Sequence, residues 1–171
     1  MLTRRALPAV FAAAALQLVA PDELQALPSR ELFTLARSKN ANVVKYAVRI
    51  GRNARLDPAN PVEAYWLMLA EDGRREELTW TERQLAYGFS VSALNGESFL
   101  LHLAAYSQRA LRVRAANGSY RAELEIARQP AVLRRIFVQT DNGLLVPSVR
   151  YVEISGLTAV GRAVNERIVP R

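Results

Sequence analysis

His102 is the one histidine in the 171-residue chain, and so the one side chain whose ordinary pKa lies near neutrality. It stands among Phe99, Leu100, Leu101, Leu103 and Ala104, with no Ser-His-Asp pattern nearby to orient it as a base. Glu76 and Glu77 point to opposite faces of an extended strand, so they cannot work as paired acid and base there. Asp57, Asp72 and Asp141 lie in turn-like settings, where aspartate commonly bonds its own backbone. There is no glycine-rich phosphate loop and no calcium-loop spacing. Cysteine is absent, which excludes thiol nucleophiles, thiolate metal sites and disulfides, and one histidine cannot build an imidazole zinc site. The expectation is a chain with no catalytic residue, no metal and no cofactor.

Binding chemistry is easier to find. Tyr65, Trp66, Trp80, Tyr87, Tyr106 and Tyr151 could line a pocket, although strand aromatics more often fill a core. Arg134 and Arg135 fall on opposite faces of one apolar run, so one of them must share a face with core residues. A buried arginine is costly unless paired, so it calls for an acidic partner, Glu82 or Glu153, or for an anionic ligand. The candidate ligand-binding set is Tyr65, Trp66, Arg83, Tyr87, His102, Arg135, Tyr151 and Glu153.

Charge narrows the partners. The chain carries 23 basic and 16 acidic side chains, a formal net charge of +7. Lys39 and Lys45 are the only lysines. Arginine suits phosphate, but these arginines are scattered among glutamates, the pattern of a solvated surface. No nucleic-acid-binding signature appears, and none is expected of an exported chain. An envelope component, a protein partner or a small ligand remains.

Export is the expectation from residues 1–20. Arg4 and Arg5 precede the apolar run Ala6–Ala20, which Pro8 interrupts and the polar Pro21-Asp22-Glu23 ends, as in a secretory signal. The run is too short to span a bilayer, so no transmembrane segment beyond the signal is expected and the chain is placed in the periplasm or outside the cell. The cleavage position stays open. Residues 21–40 read as a helical or irregular arm, and residues 41–171 as a single domain.

In that domain the period is two. Val44, Tyr46, Val48 and Ile50 alternate with Lys45, Ala47 and Arg49. Asp57-Pro58-Ala59-Asn60-Pro61 reads as a loop, and Val62–Ala70 as a strand. Asp72-Gly73, Asn95-Gly96, Asn117-Gly118 and Asn142-Gly143 recur at intervals of roughly 22–25 residues, as hairpin turns do. Return connections are expected near Ser107-Gln108, Gln129-Pro130 and Ser155-Gly156. For the Asn117-Gly118 hairpin a two-residue loop sets Ala115 opposite Tyr120, Val113 opposite Ala122 and Arg112 opposite Glu123. It also sets Arg114 opposite Arg121. A two-residue loop at Asn95-Gly96 would face His102 with Phe89. Thr81-Glu82-Arg83-Gln84 has a capping-box pattern for one short helix ending at Gly88. Later strands are Val132–Thr140, Leu145–Ile154 and Val160–Val169, with Pro147 marking an edge or bulge. The fold expected is mainly β: an antiparallel up-and-down meander of about nine strands, curled into a barrel or sandwich.

Asn60-Pro61-Val62 with Tyr65-Trp66, Glu76-Glu77-Leu78, and Glu82-Arg83 with Ala86-Tyr87-Gly88 together resemble an exported bacterial family. That family is catalogued as domain of unknown function 4833. Arg135-Ile136-Phe137-Val138, Pro147 with Tyr151-Val152-Glu153, Gly156 and Glu166-Arg167 continue the similarity, which runs from Asn40 to Arg171. The resemblance implies a compact exported β domain and brings no catalytic residue, substrate or cofactor. Three functions fit these residues. The first is a non-enzymatic binding or interaction module of the cell envelope, and the second a β-barrel holding an amphipathic anion. The third is a hydrolase using His102 or carboxylates.

Overall fold

The computed structural model describes residues 30–38, 40–51, 55–93, 98–141 and 148–170. The export segment and the Asn95-Gly96, Asn142-Gly143 and Pro147 positions lie outside these. Within the described residues eleven strands run β1 (Glu31–Arg37), β2 (Val43–Val48), β3 (Val62–Met68), β4 (Arg74–Glu77), β5 (Phe89–Ala93) and β6 (Phe99–Leu103). They continue as β7 (Tyr106–Ala116), β8 (Ser119–Ile126), β9 (Gln129–Asp141), β10 (Ser148–Leu157) and β11 (Ala163–Ile168). One helical element, α1 (Trp80–Glu82) continuing into a π-turn over Arg83–Tyr87, interrupts them. No described helix is long and apolar enough to cross a membrane.

Two antiparallel meanders make up the sheet. β1 to β4 pair in sequence, and so do β5 to β11. They are joined by a parallel pairing of β1 with β9, Thr34 to Arg135 through Arg37 to Val138. The sheet is therefore mixed and curled but not closed, with β4 and β5 at the ends of its main path. The mainly β fold is as expected, but in place of one meander of about nine strands the described residues form two, β1–β4 and β5–β11, unpaired between β4 and β5 and joined only by this parallel pairing.

That junction also corrects the reading of residues 21–40 as a helical or irregular arm, since Glu31–Arg37 is a strand. Leu32, Phe33 and Leu35 are buried in it. A bulge between Glu31 and Phe33 breaks the strict alternation, so this strand lacks the period of two that marks the others.

Core formation follows the pleat. Val44, Tyr46 and Val48 of β2 face inward, as do Leu111 and Val113 of β7 and Ala122 and Ile126 of β8. Among the described residues no polar or charged side chain is buried. The Asn117-Gly118 hairpin has the expected register at every pair given above, and both turn residues take positive φ, 50° and 72°.

Elsewhere local reading misplaced the turns. The β6–β7 turn is Ala104-Ala105, and Ser107-Gln108 lies within β7. The β8–β9 turn is Ala127-Arg128, with φ of 49° and 63°, and not Gln129-Pro130. Glu166 makes this unusual turn workable. Its carboxylate accepts from the Ala127 N–H (2.9 Å) and from both arms of Arg109 (2.8 and 2.6 Å). The Arg109 bonds hold the Glu166 carboxyl below its usual range, against a smaller opposing effect of burial.

Arg134 and Arg135 need a larger correction. Neither shares a face with the core; both are exposed, and Glu82 and Glu153 bond other groups. Ser155 pairs with Arg135 but Gly156 with Leu133, so Arg134 is the extra residue of a bulge. The bulge returns Ile136 to the interior and leaves two consecutive arginines outside. Gly156 is thus not a return connection but the close approach beneath the bulge. A Cβ there would stand 2.5 Å from the Val132 carbonyl oxygen and 2.7 Å from Ile126 Cδ1.

Gly156→Ala is expected to cost about 1–3 kcal/mol in urea unfolding through that overlap; a change within error would refute it. For Glu166 the sign follows from a depressed folded-state pKa. Its stabilisation is complete above the unfolded carboxylate value of about 4.3 and is lost as pH falls through the folded value. The melting temperatures of wild type and Glu166→Gln should therefore converge on acidification. A gap that stays constant with pH would contradict this.

Candidate functional site

The capping box sits two residues earlier than the sequence pattern suggested. Thr79, not Thr81, is the cap, and Glu82 is its partner: the Glu82 N–H donates to Thr79 Oγ1 (3.3 Å), and the Thr79 N–H donates to Glu82 Oε2 (2.8 Å). Leu78, just before the cap, is buried in the core and selects this register. Glu82 has a second duty, accepting the indole N–H of Trp66 at 3.0 Å. Burial opposes ionisation of Glu82, but the Thr79 and Trp66 bonds outweigh it and hold the carboxyl below its usual range.

Below this cap the chain widens into the π-turn and stops at Gly88. A Cβ on Gly88 would meet the Arg83 carbonyl oxygen at 1.8 Å, so only glycine closes the turn this tightly. Tyr87, the last residue of the turn, is held from three sides. Trp66 packs edge-on to its ring at 5.1 Å, and Arg37 donates to its hydroxyl at 3.2 Å. From beneath, the buried Tyr46 hydroxyl donates to the Tyr87 carbonyl at 2.8 Å. Tyr46 itself stacks on Phe33 at 4.5 Å. Burial, and secondarily Tyr87, pushes the Tyr46 phenol well above its usual range, so it stays a neutral donor. Burial also raises the Tyr87 phenol, with Arg37 pulling the other way.

Beside the turn lies a groove of about 440 Å³ lined by Arg83, Gln84, Tyr87, Ser90 and His102 among others. Arg83 is steadied by Glu77 (2.8 Å) and the Leu78 carbonyl (3.1 Å). Trp80 and Leu85, on the same capped turn, are 75% and 76% exposed. The β5–β6 ladder closes at Ala93 opposite Phe99, which faces His102 with Ser90 and not with Phe89. Its Nε2 lies 3.3 Å from Ser92 Oγ. Among the described residues no carboxylate bonds the His102 ring, so this Ser–His contact lacks the third member that orients a base. Nor do any three His, Asp or Glu side chains of the described chain cluster as metal ligands would.

A second hollow, of about 550 Å³, lies between Val91 and Ala93 of β5 and the Arg55–Pro61 loop. In that loop Asp57 accepts the Ala59 and Asn60 N–H groups, as expected of a turn aspartate. Among the described residues β5 pairs with β6 alone. The bond from Ala104 N–H to the Gly88 carbonyl (2.8 Å) sets the phase of the ladder. Ser90 and Ser92 therefore bond β6, while Phe89, Val91 and Ala93 turn their backbone groups to the open edge.

The eight sequence candidates do not converge. Arg83, Tyr87 and His102 line one groove, with Trp66 packed behind Tyr87. Arg135, Tyr151 and Glu153 lie on β9 and β10. There Arg135 stacks on Phe137 at 5.2 Å, and Arg167 covers Tyr151 at 4.2 Å while pairing with Glu153 at 3.1 Å. Tyr65 lies on β3 under Arg75, 3.9 Å away. Sequence reasoning missed Arg37, Gln84 and Tyr46. Tyr46 alone carried a signal, since a tyrosine on the inward face of a strand needs a partner for its hydroxyl.

Tyr46→Phe tests the support of the groove. Losing that donor leaves the Tyr87 carbonyl short of its bond, and about 1–3 kcal/mol of stability should go in urea unfolding. A loss below about 0.5 kcal/mol, less than a typical net hydrogen bond, would show that the turn does not depend on it.

Comparison with curated proteins and with solved structures returned no match. A sequence model of the family described as domain of unknown function DUF4833 matches residues 33–167. That span takes in every strand from the middle of β1 to the end of β11 apart from its last residue, together with the capped turn and the groove. The chain belongs to the DUF4833 family.

Proposed function

We propose that the chain is a non-enzymatic binding module of the cell envelope, and that it takes an extended peptide segment of a protein partner along the open edge of β5. The observation that carries this reading is the unclosed sheet. The two hollows follow β5, and its outward backbone groups are those an incoming strand pairs with. Arg83, Gln84 and His102 stand where polar side chains of that segment would be read. The exposed Trp80 and Leu85 offer the apolar contact that binding surfaces use as anchors. Support for a place in the envelope is the signal-like segment of residues 1–20 and nothing else.

An anion held inside a barrel is less well supported, because inward-facing apolar side chains fill the described interior. The hydrolase reading has Ser92 beside His102, but among the described residues no carboxylate bonds the His102 ring to complete it.

Val91→Pro removes one outward N–H of β5 and leaves its bonds to β6 intact. A photocrosslinking residue at Ser90 in producing cells should join the wild-type chain to a defined envelope polypeptide. The adduct should disappear in Val91→Pro while far-ultraviolet dichroism stays unchanged. An adduct that persists in the proline variant, or none from the wild type, would refute strand addition.

A further inference from the structure

On the opposite side of the β5–β6 hairpin, the outer face of β7, β8 and the start of β9 forms a separate groove of about 530 Å³. Its floor carries Leu100 on one flank and Pro130 and Val132 on the other, with Arg112 and Glu123 between them, while Leu124 packs against the core from the opposite face of β8. Arg112, Arg114 and Arg121 rise from it, facing two acids, Glu123 and Glu125. The hairpin register puts Arg114 directly opposite Arg121, and Arg112 opposite Glu123.

Glu123 does not bond the arginine it faces. It turns along the diagonal to Arg114, accepting Nε at 2.8 Å on one oxygen and Nη2 at 2.7 Å on the other. One planar fork thus uses both oxygens of one carboxylate. Arg112 and Arg121 are left without an acidic partner among the described residues. Sheet geometry separates the Arg112 and Arg121 stems by roughly 8 Å, diagonally across the pair.

We propose that this groove binds a phosphate ester carrying an apolar chain. The phosphate lies between Arg112 and Arg121, and the chain lies over Val132 and Pro130. Each element of the site selects for one part of such a ligand. A carboxylate is saturated by a single fork, as Glu123 shows, whereas a tetrahedral phosphate has oxygens for two. The apolar flank of Val132 and Pro130 favours an amphiphile over free phosphate, because burying it adds a hydrophobic contribution that an inorganic ion lacks. Glu125, at the Pro130 end of the floor, opposes the anion there and so biases the phosphate toward the Arg121 end. The inference is independent of strand addition at β5.

The test is titration calorimetry of the full chain with three probes: dihexanoylphosphatidylglycerol below its micelle concentration, inorganic phosphate and hexanoate. The phospholipid should bind, and Arg112→Gln/Arg121→Gln should weaken it at least tenfold with an unchanged far-ultraviolet spectrum. Arg112 is exposed and Arg121 half-buried, and neither is in the core, so the fold should survive. Val91→Pro should bind the phospholipid normally, which keeps this result separate from any failure at β5. Inorganic phosphate binding as tightly as the phospholipid would overturn the role of the floor, and equal binding of hexanoate would overturn the choice of phosphate. Unchanged affinity in the double variant, or no binding by the wild type, would overturn the proposal.

Discussion

The hydrogen-bonding capacity of β9 is the constraint on which the architecture turns, because this strand has two edges and three partners. One edge is occupied along most of its length by β10. The other is divided, serving β8 up to Val132 and β1 from Arg135 onward. The handover needs the strand to change direction, and the bulge at Arg134 supplies the bend. Ser38 reinforces the far side of the handover. Its N–H donates to the Val138 carbonyl at 2.9 Å, and its hydroxyl oxygen accepts the Thr140 N–H at 2.9 Å. Without the handover the two meanders would share no continuous sheet.

The open seam follows from the same arrangement. Because β1 occupies the middle of the sheet, β2, β3 and β4 lead away from it on one side, and β8, β7, β6 and β5 on the other. The curl brings these two arms toward each other, and Tyr46 crosses the gap by hydrogen-bonding the turn that leads into β5. The described interior is filled by apolar side chains. The two ends of the path also differ in chemistry. β4 is Arg74-Arg75-Glu76-Glu77, its charges locked in ion pairs with one another and with Glu63, Glu71 and Arg83. β5 carries small and apolar residues. A charged edge discourages pairing with another strand, and a plain one permits it.

Local chemistry was legible in the sequence where it alone decides the outcome. The Asn117-Gly118 hairpin came out pair by pair, because turn type fixes register over a few residues. The capped turn was found but two residues late, since Thr79 and Thr81 compete for the cap and the burial of Leu78 decides between them. The facing arginines at 114 and 121 were visible as well, though not that Glu123 would turn from Arg112, which it faces, to Arg114. What stayed hidden depends on contacts distant in sequence. Leu32, Phe33 and Leu35 gave no hint that their strand lies beside β9, and alternation put an arginine in the core until a bulge removed it. The candidate site was half legible for the same reason: Arg83, Tyr87 and His102 do meet, while Arg135, Tyr151 and Glu153 belong to another part of the surface.

The parallel junction also has a consequence in time. Ser38 and Thr140 bond across 102 residues of sequence. During synthesis the first strand is thus complete long before its second neighbour exists. The hairpins between them are local and can form early, but the edge of β1 must wait for most of the chain. Loop closure on that scale is entropically demanding, and contacts of such separation slow folding. Until β9 arrives, an apolar strand with one unpaired edge stays available to whatever it meets, so the interval before the junction closes is when this chain is most exposed to mispairing and aggregation.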